Sequence, residues 1–468
     1  MKKLWEGRLS GEKDKAIEEF NASIHFDKRL YREDILGSRA HAKMLAKIGV
    51  LTDKEYRDID AGLTAVEGAI EKGELPFTAE HEDIHTHIEN ALRERIGDTA
   101  GKLHTARSRN DQVNVDIRLY LKRETNEILY ELLSLERALH SIAAAHADTL
   151  MPGYTHLQPA QPISLAHLIL AYFFMLSRDI GRLQDCLARM DILTLGSGAL
   201  AGLNYPLERE MTRSELGFAR VSENALDAVS DRDFIIEFLA DTAILFTHLS
   251  RIAEDFIIFN SNEYRFIELS DSYATGSSIM PNKKNPDMLE LTRGKTGRIF
   301  GDLITMLTVM KGLPSAYNKD LQEDKEALFD AIDTTLAVLP MVRGTLETAT
   351  FNKERMREAC DQGFLSAVDI ADYLTAKGIP FRDAHNIVGR MVRDAAEKGK
   401  TFASLTIAEY RTYSDRFDND VYKAADVSQA RVRKISSGGT GPESIRTQLV
   451  QAEALLNRWK SEVRTASY

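Results

Sequence analysis

Residues 110–151 read NDQVNVDIRLYLKRETNEILYELLSLERALHSIAAAHADTLM, a stretch with neither glycine nor proline. Within it Leu121, Ile128, Leu135 and Ile142 recur every seven residues, and Leu132 and Leu139 fall four after Ile128 and Leu135. Apolar side chains at that interval share one face of a helix, so this is the seam of a bundle. At about 1.5 Å per residue the helix runs on the order of 60 Å. Residues 232–262 repeat the pattern with Phe238, Leu245, Ile252 and Phe259, and with Leu249 and Phe256 at the complementary offset. Further long helices are predicted over 164–190, 288–310 and 325–350, the last bent at Pro340. Period-two alternation is absent, so no sheet core is expected.

Helices of this length are poorly buried by one chain, and a bundle completed by other subunits is the expected solution. The flanking stretches break into shorter pieces, such as 55–72 and a last helix over 444–465. The predicted fold is therefore all-α in three parts: an N-terminal helical domain 1–106, a central long-helix bundle 107–358 and a C-terminal helical domain 359–468.

The 468 residues carry 60 Lys+Arg against 71 Asp+Glu, a net charge of −11. That balance argues against a general binder of nucleic acid or of anionic membranes, which want a positive field. Two cysteines, Cys186 and Cys360, make no disulfide framework. With no leader-like start and no apolar run of the roughly 20 residues a span needs, the expectation is a cytoplasmic protein.

Several segments look chemical. Residues 270–286, SDSYATGSSIMPNKKNP, form a small-residue loop between two long helices and carry Lys283, Lys284 and Asn285. A mobile, cation-bearing loop suits closure on an anionic ligand. Residues 104–112, HTARSRNDQ, set donors directly before the first long helix, where free N–H groups and the helix dipole favour anions. Capping accounts for Asn110 or Asp111 but leaves Arg107 and Arg109 over. Residues 151–162, MPGYTHLQPAQP, read as a proline-fixed turn presenting Thr155, His156 and Gln158, a good place for an acid or base. Residues 316–325, AYNKDLQEDK, offer Tyr317, Gln322 and Lys325 on a turn entering a helix. His81 and His85 stand at i, i+4, a spacing usable by a metal, but no HExxH motif accompanies them, and a polar active-site or helix-start role is preferred. SSGGTGP at 436–442 lacks the Gly-Lys-Ser/Thr of a phosphate loop and reads as a turn.

Taken together, these segments resemble the fumarase/aspartase superfamily, whose signature is matched by GSSIMPNKKNP, and within it most closely the argininosuccinate lyase family. The resemblance runs from Trp5–Arg8 and Phe20–Ser23 through the Glu-Asp-Ile-His, HTARSRNDQ, GYTHLQ and YNKDLQEDK elements, in the family's order. Glu6, Ala106, Asn282 and Gly441 depart from its usual Gly, Gly, Gln and Ala. The resemblance implies reversible β-elimination of argininosuccinate to L-arginine and fumarate. It implies Ser277, His156, Glu290 and Lys283 as catalytic residues, with Ser277 as base and His156 as proton donor. The reverse assignment stays open on sequence. Implied substrate contacts are Ser23, Ser108, Asn110, Thr155, Asn285, Tyr317, Gln322 and Lys325, with Asp83, His85, Arg107 and Arg109 close behind. No metal, nucleotide or redox cofactor is implied. The family fold is a homotetramer with active sites shared between subunits. Another superfamily lyase, acting on adenylosuccinate or aspartate, and a non-catalytic crystallin-like relative are the alternatives.

Overall fold

The computed structural model describes residues 15–463. The Trp5–Arg8 element, with Glu6, and the last residues of the predicted C-terminal helix lie outside the described residues. After two short helices, Lys15–Asn21 and Ile24–Asp27, come α1 (Tyr31–Lys47), α2 (Asp53–Glu71) and α3 (Ile84–Ile96). The long helix α4 spans Arg109–Ala145 and leads into a hairpin of β1 (Leu150–Thr155) and β2 (Gln158–Ser164). The remaining long helices are α5 (Leu165–Met190), α6 (Asp233–Asn260), α7 (Asp287–Met310) and α8 (Asp324–Thr348), the last running through Pro340. A C-terminal group includes α9 (Ala367–Ala376) and α10 (Phe381–Glu397), and the last long helix is α11 (Pro442–Glu462). The fold is all-α, as the heptad seams require. Among the described residues its strands form three two-stranded sheets.

The start of α4 is fixed by a capping box. Ser108 Oγ accepts from the Asn110 N–H at 3.2 Å, and Asp111 accepts from the Ser108 N–H at 3.0 Å. From there Leu121, Ile128, Leu132, Leu135 and Leu139 are all fully buried in the main core. Each such side chain contributes roughly 1.5–3 kcal/mol of burial free energy. Arg118, also buried, donates to the Met190 carbonyl at 2.9 Å, pairs with Asp231 and lies over the Phe234 ring, tying the start of α4 to the end of α5 and the start of α6. Arg232 and Asp324 form a buried ion pair between the starts of α6 and α8.

The bundle thus has two distinct ends. At one lie the starts of α4, α6 and α8. At the other lie their ends, where the His146 ring packs tilted against Phe351 at 4.8 Å and residues 267–268 pair with 350–351. Ile445, Ala452 and Trp459 of α11 join this central core, whereas residues 370–425 form a separate core around Tyr410 and Phe417. On α7 the apolar Phe300, Ile304 and Leu307 face outward, with Ile304 60% exposed. Among the described residues no helix is long and apolar enough to cross a membrane.

Candidate active site

At the end where α4 starts, one network gathers most of the predicted binding residues. Ser23 is buried and donates to Asp27 at 2.6 Å, and Asp27 accepts from the Ile84 N–H at 3.1 Å. Asp83 caps α3 by accepting from the Thr86 N–H at 2.7 Å and pairs with Arg109 at 3.2 Å. Burial works to raise the Asp83 pKa, but Arg109 and His85 outweigh it and leave it lowered. Arg107 donates to Ser38 at 2.8 Å, and Glu89 accepts from both Arg107 and Arg109. Asn110 donates to the Ala199 carbonyl at 3.1 Å.

The 317–325 segment docks on the same network. Gln322 donates to the Asn21 carbonyl at 3.3 Å, and Lys319 pairs with Glu82 at 2.9 Å. Lys325 is buried, with its ammonium 2.8 Å from Asp324. Burial, and then the Asp324 charge, push the Tyr317 hydroxyl up to about 12, so it stays a neutral donor near neutral pH.

His85 does not share a helix face with His81. The 3₁₀ turn Ala79–His81 ends at Glu82, whose φ of 61° breaks the helical path before α3 begins. His81 instead stacks edge-on with His87, while His85 turns inward, with Nδ1 2.9 Å from Asp34 and 3.4 Å from Asp116. These three groups lie close enough to hold a cation. Arg107 and Arg109 already balance their charge. Burial alone would raise Asp34, but His85, Arg107 and Arg109 reverse this and hold it below the ordinary carboxylate range. Burial and the Asp34 charge push Asp116 well up, so one carboxylate and one carboxyl share the pocket.

The opposite end of the bundle carries the rest. Residues 151–162 are not an irregular turn but an antiparallel hairpin, with Pro152 opposite Pro162 and Thr155 opposite Gln158. Its prolines hide the strand signal in the sequence, because they withhold ladder donors yet fit a two-stranded ribbon whose edges are free. His156 and Leu157 form the two-residue tip, each at φ 56°. Side chains rarely adopt that left-handed conformation. The strained tip presents both Thr155 and His156 in exposed positions. Behind it Tyr154 packs against Tyr264 at 5.6 Å and Phe259 at 6.2 Å, which fixes the hairpin to the end of α6.

The Ser277 loop stands at this end too. Its neck is closed by a bridge between Thr275 and Asn285, whose N–H donates to the Thr275 carbonyl at 2.7 Å. Tyr273 seats the loop on α8 at Gly344, where a Cβ would fall 2.0 Å from the tyrosine hydroxyl. Ser277 Oγ accepts from the Met280 N–H at 3.1 Å and the Ile279 N–H at 3.3 Å. Lys284 is engaged by Asp271 at 2.6 Å, whereas Lys283 forms no ion pair among the described residues. Lys283, Asn285 and, from the first turn of α7, Glu290 line a cleft of about 1020 Å³.

A lyase family profile matches residues 7–301, and an argininosuccinate lyase C-terminal profile matches residues 364–430. The chain is 50% identical over 454 residues to the argininosuccinate lyase of Moorella thermoacetica, covering 97% of this chain and 98% of that one. It is 51% identical to the argininosuccinate lyase of Bacillus licheniformis, covering 98% of this chain and all of the other. The chain belongs to the argininosuccinate lyase family. It is accordingly an enzyme of the lyase class. Among solved structures, an EDDS lyase in complex with formate superposes on this lyase with a TM-score of 0.86 at 30% identity, covering 97% and 92% of the two chains. An EDDS lyase variant with bound fumarate gives 0.84 at 29% identity, with the same coverage of each chain. A class II fumarase from Schistosoma mansoni shares the fold, with a TM-score of 0.75 at 16% identity over 88% and 94% of the chains.

In this lyase, sequence reasoning passed over Glu82, Lys319 and Glu89, which join the predicted residues into one network. Lys319 and Glu82 lie inside segments already singled out, but as two exposed-looking charges far apart in sequence they gave no sign of pairing. Asp34 and Asp116 were hidden for another reason: each looks like an ordinary surface residue of a helix, and only the packing of three helices buries them.

Proposed function

We propose that the enzyme cleaves argininosuccinate reversibly to L-arginine and fumarate, in arginine biosynthesis in the cytoplasm, as a homotetramer with sites shared between protomers and without a cofactor. The observation that carries the chemistry is the Ser277 oxygen, which accepts two backbone N–H groups in the loop that also carries Lys283. A serine hydroxyl is a poor base in water. Fixed N–H donors, joined by the Lys283 ammonium once the site closes, favour its alkoxide and make it a competent proton acceptor. The substrate assignment rests on the relatives of that name at about 50% identity.

The hard step is removal of a proton from the carbon beside a carboxylate, because the resulting carbanion spreads charge into that carboxylate. Lys283 and Asn285 offer an ammonium and an amide donor to meet it, and such preorganised donors supply the largest share of stabilisation. The Ser277 alkoxide takes the proton, the C–N bond breaks, and His156 gives a proton to the departing guanidino nitrogen. Glu290 orients His156 and balances the imidazolium. Ser108, Asn110 and Thr155 hold the succinyl carboxylates, while Ser23, Tyr317, Gln322 and Lys325 serve the remaining carboxyl group and the rest of the arginine end. Asp83, His85, Arg107 and Arg109 hold this machinery in register.

Distance supports the sharing of sites. The binding network and the His156 hairpin lie at opposite ends of α4, so one protomer cannot close both on one small molecule. The outward apolar face of α7 supports a bundle completed by other copies. The test is the ultraviolet absorbance of fumarate when purified enzyme meets argininosuccinate, adenylosuccinate, aspartate and malate separately, without added metal. Fumarate from argininosuccinate alone is expected. Fumarate from another substrate would overturn the specificity, and none from any would return the crystallin-like reading.

A further inference from the structure

Glu82 combines a rare backbone conformation with an unusual number of ties. Its φ of 61° and ψ of −63° are those of a γ-turn, and the Asp83 N–H closes that turn onto the His81 carbonyl at 2.7 Å. The conformation is strained for any residue with a side chain and persists only where the surroundings impose it. Here the Glu82 carbonyl accepts from both the Ser23 N–H at 2.9 Å and the Ile24 N–H at 3.0 Å. Its carboxylate oxygen Oε1 accepts from Asn21 at 2.6 Å and from Lys319 at 2.9 Å. Asn21 in turn holds Gln322 through its carbonyl. One residue therefore sets the Ser23 segment against the 317–325 segment, two stretches some 300 residues apart in sequence.

We infer that Glu82 is a positioning residue that holds the Ser23 and 317–325 halves of the binding surface in register for the arginine end of the substrate. This rests on the argininosuccinate reading above. Glu82 touches no reacting atom in this scheme. Its carboxylate acts through Lys319 and Asn21, and its strained turn is the cost of reaching both while the carbonyl caps Ser23.

Glu82→Gly separates the two components, because glycine adopts the positive φ freely while the carboxylate is lost. The expected result is a variant melting no lower than wild type, with KM for argininosuccinate raised about tenfold or more and kcat within about threefold. In the reverse direction KM for arginine should rise by a similar factor and KM for fumarate by less than about twofold. Glu82→Asp, which keeps the charge, should recover part of the loss. KM values for argininosuccinate and arginine within about twofold of wild type would overturn the inference, as would equal losses for arginine and fumarate. If Glu82→Gly fails to fold, Glu82→Gln is read by the same criteria. Wild-type enzyme inert toward argininosuccinate would instead overturn the proposed reaction, so the two failures are distinguishable.

Discussion

Asn110 stands in the first turn of α4, and His156 stands at the tip of the hairpin that follows its last turn. The helix between them has 37 residues, which at 1.5 Å each separates its ends by roughly 55 Å. The hairpin does not fold back along the bundle: Leu157 at its tip lies beside Tyr264, past the end of α6. A succinyl group is a few ångströms long, so under the proposed roles the two residues would belong to different sites within one protomer.

The chemistry at Ser277 and His156 can be read separately. Ser277→Ala should lower kcat by at least about 10³-fold while substrate still protects the enzyme against thermal unfolding. His156→Asn should lower kcat by about 10²–10⁴-fold, the usual worth of a positioned acid. Near-normal turnover of Ser277→Ala would remove the base assignment, and the reverse one with it, since both need the Ser277 hydroxyl.

The buried carboxyl pair makes an asymmetric prediction. Asp116 is the protonated member, so Asp116→Asn should change the melting temperature little. Asp34 is the ionised partner of His85, and breaking a buried pair of this kind costs on the order of 3–5 kcal/mol. Thermal melts of Asp34→Asn and Asp116→Asn check the order. Equal losses would contradict the assigned protonation states.

Glu136 on α4 is fully buried, neither of its oxygens has a geometrically sound hydrogen bond among the described residues, and burial followed by the Asp179 charge raises its pKa to about 9. The folded state therefore holds a proton that the unfolded chain releases near 4.5. The wild type loses stability from this group as pH rises from 4.5 toward 9, and is not penalised by it below that window. Glu136→Gln removes the titration. Its melting temperature should exceed that of wild type by a margin that widens across this range, and a constant margin would contradict the account.

Ala106 marks a departure from the family's usual glycine, and its φ of 55° shows what that departure costs. A Cβ in the left-handed region is strained by about 1–2 kcal/mol, partly offset by the lower unfolded-state entropy of alanine. Ala106→Gly should raise the melting temperature by a few degrees without changing KM, as a paired melt and rate assay would register.

The long helices were legible because leucine and isoleucine at heptad spacing declare a buried face whatever surrounds them. Most of their ends fell within a few residues of the predicted ones: α6 covers Asp233–Asn260 where residues 232–262 were expected, and α7 begins at Asp287 rather than 288, whereas α4 stops at Ala145, short of 151, because the strand β1 already begins at Leu150. The hairpin was illegible because Pro152, Pro159 and Pro162 erase the strand pattern, while cross-strand pairing and the Tyr154 packing that hold it are not local. The chemical segments were legible as motifs, but their grouping was not. The Ser23 and 317–325 segments meet through Glu82, Asn21 and Lys319, contacts that depend on the tertiary path and on a γ-turn with no composition of its own. Asp34 and Asp116 show the same limit: burial and opposite surroundings drive two ordinary helix carboxylates apart, Asp34 down and Asp116 up, and burial is a property of the packed helices.

The most direct test mixes two inactive variants from opposite ends of α4. Asn110→Leu and His156→Asn enzymes, unfolded and refolded together, would form hybrid oligomers verified by native mass spectrometry. Sites that draw Asn110 from one protomer and His156 from another regain both groups in some hybrids. A random one-to-one mixture should then recover up to about a quarter of wild-type fumarate production, since each needed part is intact half of the time. Verified hybrids with no more activity than the two variants alone would contradict a site assembled between protomers.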